Sequence, residues 1–61
     1  MTNLEQEIKM VHLSAQSLNV RARHRAAENP LCPEEDLLRL ADDMDWYVQV
    51  GVAENPKDLL L

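Results

Sequence analysis

Ala27-Glu28-Asn29-Pro30 recurs as Ala53-Glu54-Asn55-Pro56. The pair admits two readings: a duplicated unit, or one stop signal used twice. Asn-Pro ends a helix, because the residue before proline is pushed out of the helical region and proline has no N–H to continue the ladder. The stretches upstream are Val20-Arg21-Ala22-Arg23-His24-Arg25-Ala26 and Trp46-Tyr47-Val48-Gln49-Val50-Gly51-Val52, and they share almost no residues. The repeat therefore reads as two stops rather than a duplication, and it divides the chain into two helical stretches.

The first stretch runs back from Glu28 to Thr2 without Pro or Gly. Thr2-x-x-Glu5 fits a capping box, in which hydroxyl and carboxylate each satisfy the other residue's amide. Helix 1 is expected over about 3–28. Pro33 suits the first position of helix 2, and Glu34, Glu35 and Asp36 place negative charge where the helix dipole favours it. Helix 2 is expected over about 33–53. Residues 56–61, with Leu59-Leu60-Leu61, are left as a short apolar tail that can dock or fray. The connection from about Asn29 to Cys32 is short enough to force antiparallel neighbours. The expected fold is all-α: an antiparallel two-helix hairpin in a single domain, 1–61.

At 61 residues the chain buries only about 60% of its unfolded surface. Domains of this size usually carry a staple. Cys32 is the sole cysteine, which excludes a disulfide within the chain and favours a reducing, intracellular home. His12, His24 and Cys32 have no metal-like spacing, and no metal or cofactor is expected. Oligomerisation, or very regular helix packing, is the remaining source of stability. The N-terminal residues lack the basic and apolar segments of a signal peptide, and no apolar run approaches a membrane span. Net charge is −5, concentrated in the second half, so nucleic acid is not expected as a partner.

Helix 1 shows two apolar lines. Leu4, Ile8, Val11, Ala15, Leu18 and Ala22 follow a coiled-coil-like spacing. Met10, Leu13, Ser17 and Val20 form a second line on the opposite side, at about 100° per residue. Helix 2 carries one stripe, Leu37, Leu40, Ala41, Met44, Tyr47, Val48, Gly51 and Val52. A hairpin covers one face of helix 1, so a homodimeric four-helix bundle is expected, with Leu4, Ile8, Val11, Ala15, Leu18, Met10, Leu13 and Val20 at its interface. Leu38, Asp42, Asp45 and Trp46 lie off the stripe and form a candidate surface for a further partner.

Arg21, Arg23 and Arg25 are candidate phosphate contacts, but the favoured reading is the solvated end of a helix whose dipole favours cations there. The acids Asp42, Asp43 and Asp45 sit on an expected helix rather than in the glycine-containing loop that calcium needs. Cys32 has no base beside it in sequence, and Ser14 and Ser17 lack a nucleophile elbow. No catalytic residue is expected.

From Met1-Thr2-Asn3-Leu4-Glu5-Gln6-Glu7 through Trp46-Tyr47-Val48-Gln49-Val50, the chain resembles the small early accessory proteins of lambda-like bacteriophages, encoded between the exonuclease and excisionase genes. The likeness lies in length and wording over most of the chain, without a site motif. It implies an early accessory protein in the bacterial cytoplasm that influences host physiology or the choice between lysis and lysogeny; the absence of a site motif and the surplus apolar surface add the expectation of a non-enzymatic protein acting through an unknown host or phage protein. The alternative is a small DNA-associated transcriptional regulator using Arg21, Arg23 and Arg25.

Overall fold

The computed structural model describes residues 3–57, and within them the chain is all-helical. The order is α1 (Leu4–Ala15), α2 (Val20–Glu28), α3 (Glu34–Ala41) and α4 (Trp46–Ala53). Each long helix expected from the sequence is thus two short ones. The breaks fall at residues 16–19 and 42–45, where neither proline nor glycine stands. The interrupters are short polar side chains, which offer the backbone an alternative to the helical ladder. Asn19 caps α2 by accepting from the Arg21 amide, and Asp45 caps α4 by accepting from the Tyr47 amide. Asp45 therefore belongs to a cap rather than to an open helix face. At the N-terminus Asn3 is the cap, its Oδ1 accepting from the Glu5 amide at 2.9 Å. Pro33 stands one residue before α3. The Thr2 capping box and the Leu59–Leu61 tail lie outside the described residues.

The two breaks match each other at the spacing that separates the AENP tetrapeptides. Ser17 Oγ accepts from the Asn19 amide, and Asp43 Oδ1 accepts from the Asp45 amide. Arg23 donates to the Ser17 carbonyl, and Gln49 to the Asp43 carbonyl. Asn29 accepts from the Leu31 amide, and Asn55 from the Lys57 amide. The chain is therefore a tandem of two helix–break–helix–stop units, α1–α2 and α3–α4. Reading AENP as a stop is right, but reading it as only a stop is corrected: it also marks the end of each unit.

The units pack chiefly through α2 and α4. His24 meets Tyr47, Ala27 meets Gly51, and Glu28 approaches Glu54, so the two helices run in the same direction. This differs from the antiparallel hairpin, because α3 carries the chain back before α4 begins. The core comprises Val11, Ala15, Ala26, Ala27, Cys32, Leu37, Leu40 and Val48, with Val20, Leu31 and Val52 packed against it. Three of these core residues are alanines, so little apolar volume is buried and backbones come close. Leu37 and Val48 are fully buried, each contributing about 1.5–3 kcal/mol.

Polar ties supplement this small core. Asp36 is buried and accepts from His12 Nδ1 at 2.7 Å and from Arg39. Gln16 Nε2 closes on His12 Nε2 at 2.9 Å. The chain of groups joins α1 to α3. Among the described residues, every side-chain nitrogen or oxygen wholly shut off from solvent has a partner.

Candidate functional site

The two breaks stand side by side and create the most distinctive surface. Arg23 Nε donates to Asp43 Oδ2 at 2.9 Å, and Arg23 Nη1 donates to the Ser17 carbonyl at 2.8 Å. One guanidinium thus ties both breaks together. Both side chains of this ion pair are largely buried, so removing one partner would strand a desolvated charge. Above the pair lies a groove of about 400 Å³, lined by Ala15, Leu18, Arg39, Leu40, Asp42 and Met44 among others.

Leu18 and Met44 hold equivalent places in the two units. They are 99% and 97% exposed. Each follows the residue whose side chain or carbonyl is engaged within its break, so the apolar side chain points outward and meets no core. Two large apolar groups offered to solvent beside one groove fit the pattern of a protein-binding surface. Met adds adaptability to such a surface, since its unbranched thioether fits irregular partners.

The residues singled out in the sequence are spread more widely. Of the expected dimer interface, Val11 and Ala15 are in the core of the single chain, Val20 packs against it and Ile8 is half-buried. Leu4, Met10, Leu13 and Leu18 remain exposed. The break after Ala15 dissolves the continuous seam, leaving Met10 and Leu13 on the outer face of α1. Leu38 and Trp46 are exposed, and Asp42 lines the groove. Arg21 and Arg25 are exposed, whereas Arg23 is spent on Asp43. The three arginines therefore do not act as one cluster.

Cys32 is fully buried. Burial pushes its thiol up from the ordinary 9.0 to about 11, with the negative Asp36 adding to the rise and Lys57 and Arg39 opposing it. The thiolate is the nucleophile, so this cysteine is chemically quiet. The folded state favours the protonated thiol, so its stabilising contribution is complete below pH 9 and is lost as pH rises through about 11. The native chain should resist iodoacetamide below pH 9 and label fully in denaturant, as read by mass spectrometry. Rapid native labelling would show that the thiol is open.

A second constellation escaped the sequence reading. The ligand atoms of His24, Glu28 and Glu54 lie within 4.8 Å of one another. His24 Nδ1 is 2.9 Å from the Tyr47 carbonyl. A carbonyl only accepts, so this nitrogen carries the proton. The imidazole stacks on the Tyr47 ring with centroids 3.8 Å apart. The signal was present in the sequence: Glu28 and Glu54 are the same letter of the repeated tetrapeptide, and His24 stands one helical turn before the first.

No helix among the described residues is long and apolar enough to cross a membrane. Comparison of the chain with protein families, with curated proteins and with solved structures finds no match.

Proposed function

We propose that this chain is a non-enzymatic binding module that presents the Leu18–Met44 groove to an apolar segment of a partner protein. The observation that carries the reading is the pair of large apolar side chains, almost wholly exposed at equivalent positions of the two units. The Arg23–Asp43 pair holds the breaks together beneath them, so the groove is preformed and costs little ordering on binding. Arg39 and Asp42 supply a charged rim. Leu38 and Trp46 are further exposed apolar side chains, on α3 and α4. A homodimer through Leu4, Met10 and Leu13 on α1 is the companion proposal. An early accessory role in a phage-infected bacterium, through a host or phage protein, is the setting the sequence resemblance implies.

The rival reading, a DNA-associated regulator, is weakened by the capture of Arg23 by Asp43. Of the three arginines, Arg21 and Arg25 remain for phosphates, in an acidic chain.

The test is the double variant Leu18→Ser with Met44→Ser. Neither side chain contributes to the core, so the folding stability should stay within about 0.5 kcal/mol of the parent's. Partner capture from bacterial lysate should fall at least tenfold, the effect of losing interface anchors worth about 1.4 kcal/mol or more. Unchanged capture by a folded double variant would remove the groove from function. Sedimentation of the same samples reads the dimer separately, because Leu4, Met10 and Leu13 are untouched.

A further inference from the structure

We infer that His24, Glu28 and Glu54 form a binding site for one first-row divalent transition-metal ion, with Zn²⁺ the best fit, and that the ion cross-links the two units of the chain. The site shares no residue with the Leu18–Met44 groove.

The first argument is the histidine. His24 is 9% exposed, and its Nδ1–H donates to the Tyr47 carbonyl. That leaves the lone pair on Nε2, which faces the two carboxylates. A backbone carbonyl on the remote nitrogen is the usual outer partner of a metal-bound imidazole, fixing both tautomer and ring orientation. The ring cannot swing away, because it is stacked on Tyr47 and backed by Gly51. Nε2 makes no hydrogen bond of its own among the described residues; its nearest acid oxygen is Glu28 Oε2 at 3.4 Å.

That separation is the second argument. Zinc bonds of about 2.0–2.1 Å at tetrahedral angles place neighbouring ligand atoms about 3.4 Å apart. The His24–Glu28 pair is already set at one edge of such a tetrahedron. Glu54 is exposed and within 4.8 Å of the others, so a rotation of its own side chain completes the face. Three protein ligands leave a fourth position for water.

Charge and donor type give the third argument. A neutral imidazole and two carboxylates bring −2 to a dication. One nitrogen and two oxygens, without sulfur, suit zinc, cobalt, nickel or manganese and disfavour monovalent copper. His24 and Glu28 come from α2, whereas Glu54 follows α4, so the ion would bridge the principal contact between units. A chain of this size profits from such a staple.

The experiment uses the full chain, freed of metal by chelation. Titration with Co²⁺ should saturate at one equivalent and develop the intense visible bands of a tetrahedral or five-coordinate site. Zn²⁺ should displace the cobalt and raise the thermal midpoint. Glu28→Gln and Glu54→Gln alter exposed side chains and keep the fold, as circular dichroism verifies. Each should weaken binding at least about tenfold and lessen the rise in midpoint, while Glu34→Gln leaves both intact. Absence of saturable binding would overturn the site. So would binding that neither glutamine variant weakens, since the ion would then lie elsewhere, for instance on His12. A saturating ion that leaves the parent's midpoint unmoved would overturn the cross-link.

Discussion

Gly51→Ala lowers the stability of the chain, although alanine is the better helix former. Gly51 lies inside α4 and its φ is not positive, so backbone conformation does not require glycine. Helix propensity alone would favour alanine by about 0.8–1 kcal/mol. The added Cβ, however, would lie 2.9 Å from the His24 carbonyl oxygen, 3.0 Å from Ala27 Cβ and 3.0 Å from His24 Nδ1. Two of these neighbours are fixed by the α2 backbone, so relief requires α2 and α4 to separate. Overpacking of this kind costs about 1–3 kcal/mol and occasionally more. Separation also breaks the His24–Tyr47 hydrogen bond and stack. The net loss is about 2 kcal/mol, against a total stability of about 3–9 kcal/mol for a domain of this length. Thermal unfolding by far-ultraviolet circular dichroism should show a fall of about 8–16 °C. A midpoint equal to or above the parent's would mean that α2 and α4 do not approach this closely.

Asn55→Ala should cost as much or more. Asn55 is buried, and its Nδ2 donates to the Ala27 carbonyl at 2.7 Å and to the Asn29 carbonyl at 2.8 Å. Its Oδ1 accepts from the Lys57 amide at 2.8 Å. The stop signal of the second unit thereby closes the stop signal of the first. Truncation removes two donors and leaves at least one buried carbonyl without a partner, at about 1–3 kcal/mol for each stranded group. The expected loss is about 2–4 kcal/mol in chemical denaturation. Asn55→Asp should be no better, since it turns acceptor oxygens toward two carbonyls. Asn29 is the control built into the sequence. It is only partly buried, and its side chain serves the Leu31 amide alone, so Asn29→Ala should cost about 1 kcal/mol. Equal losses at the two asparagines would refute the asymmetry.

The helical class and the two stops could be read from the sequence, because Asn-Pro and an acidic first turn act locally and leave plain letters. The breaks could not. Ser17, Asn19, Asp43 and Asp45 do in their loops what proline does elsewhere, but each is also tolerated in a helix, so an uninterrupted rod was the simpler reading. The correspondence of Ser17-x-Asn19 with Asp43-x-Asp45 lies in chemistry rather than in letters, and a letter comparison misses it. The groove was hidden for a related reason. Leu18 and Met44 fall at helical spacings that suggest core, and only the breaks turn them outward. The exposure of Leu38 and Trp46 followed from their places off the stripe. The His24 set needs the parallel pairing of α2 with α4, which a hairpin does not contain.

The two units repeat one plan, but their facing helices are complementary opposites rather than copies. One brings an imidazole and the Ala27 methyl; the other answers with the Tyr47 ring and carbonyl and with the chain's sole glycine. At the spacing of the repeated tetrapeptide Tyr47 and Gly51 answer to Arg21 and Arg25, so a second copy of α2 in the place of α4 would set two arginines against His24 and Ala27. The difference between the halves is thus what makes the molecule cohere, and mutations that make them more alike should weaken it.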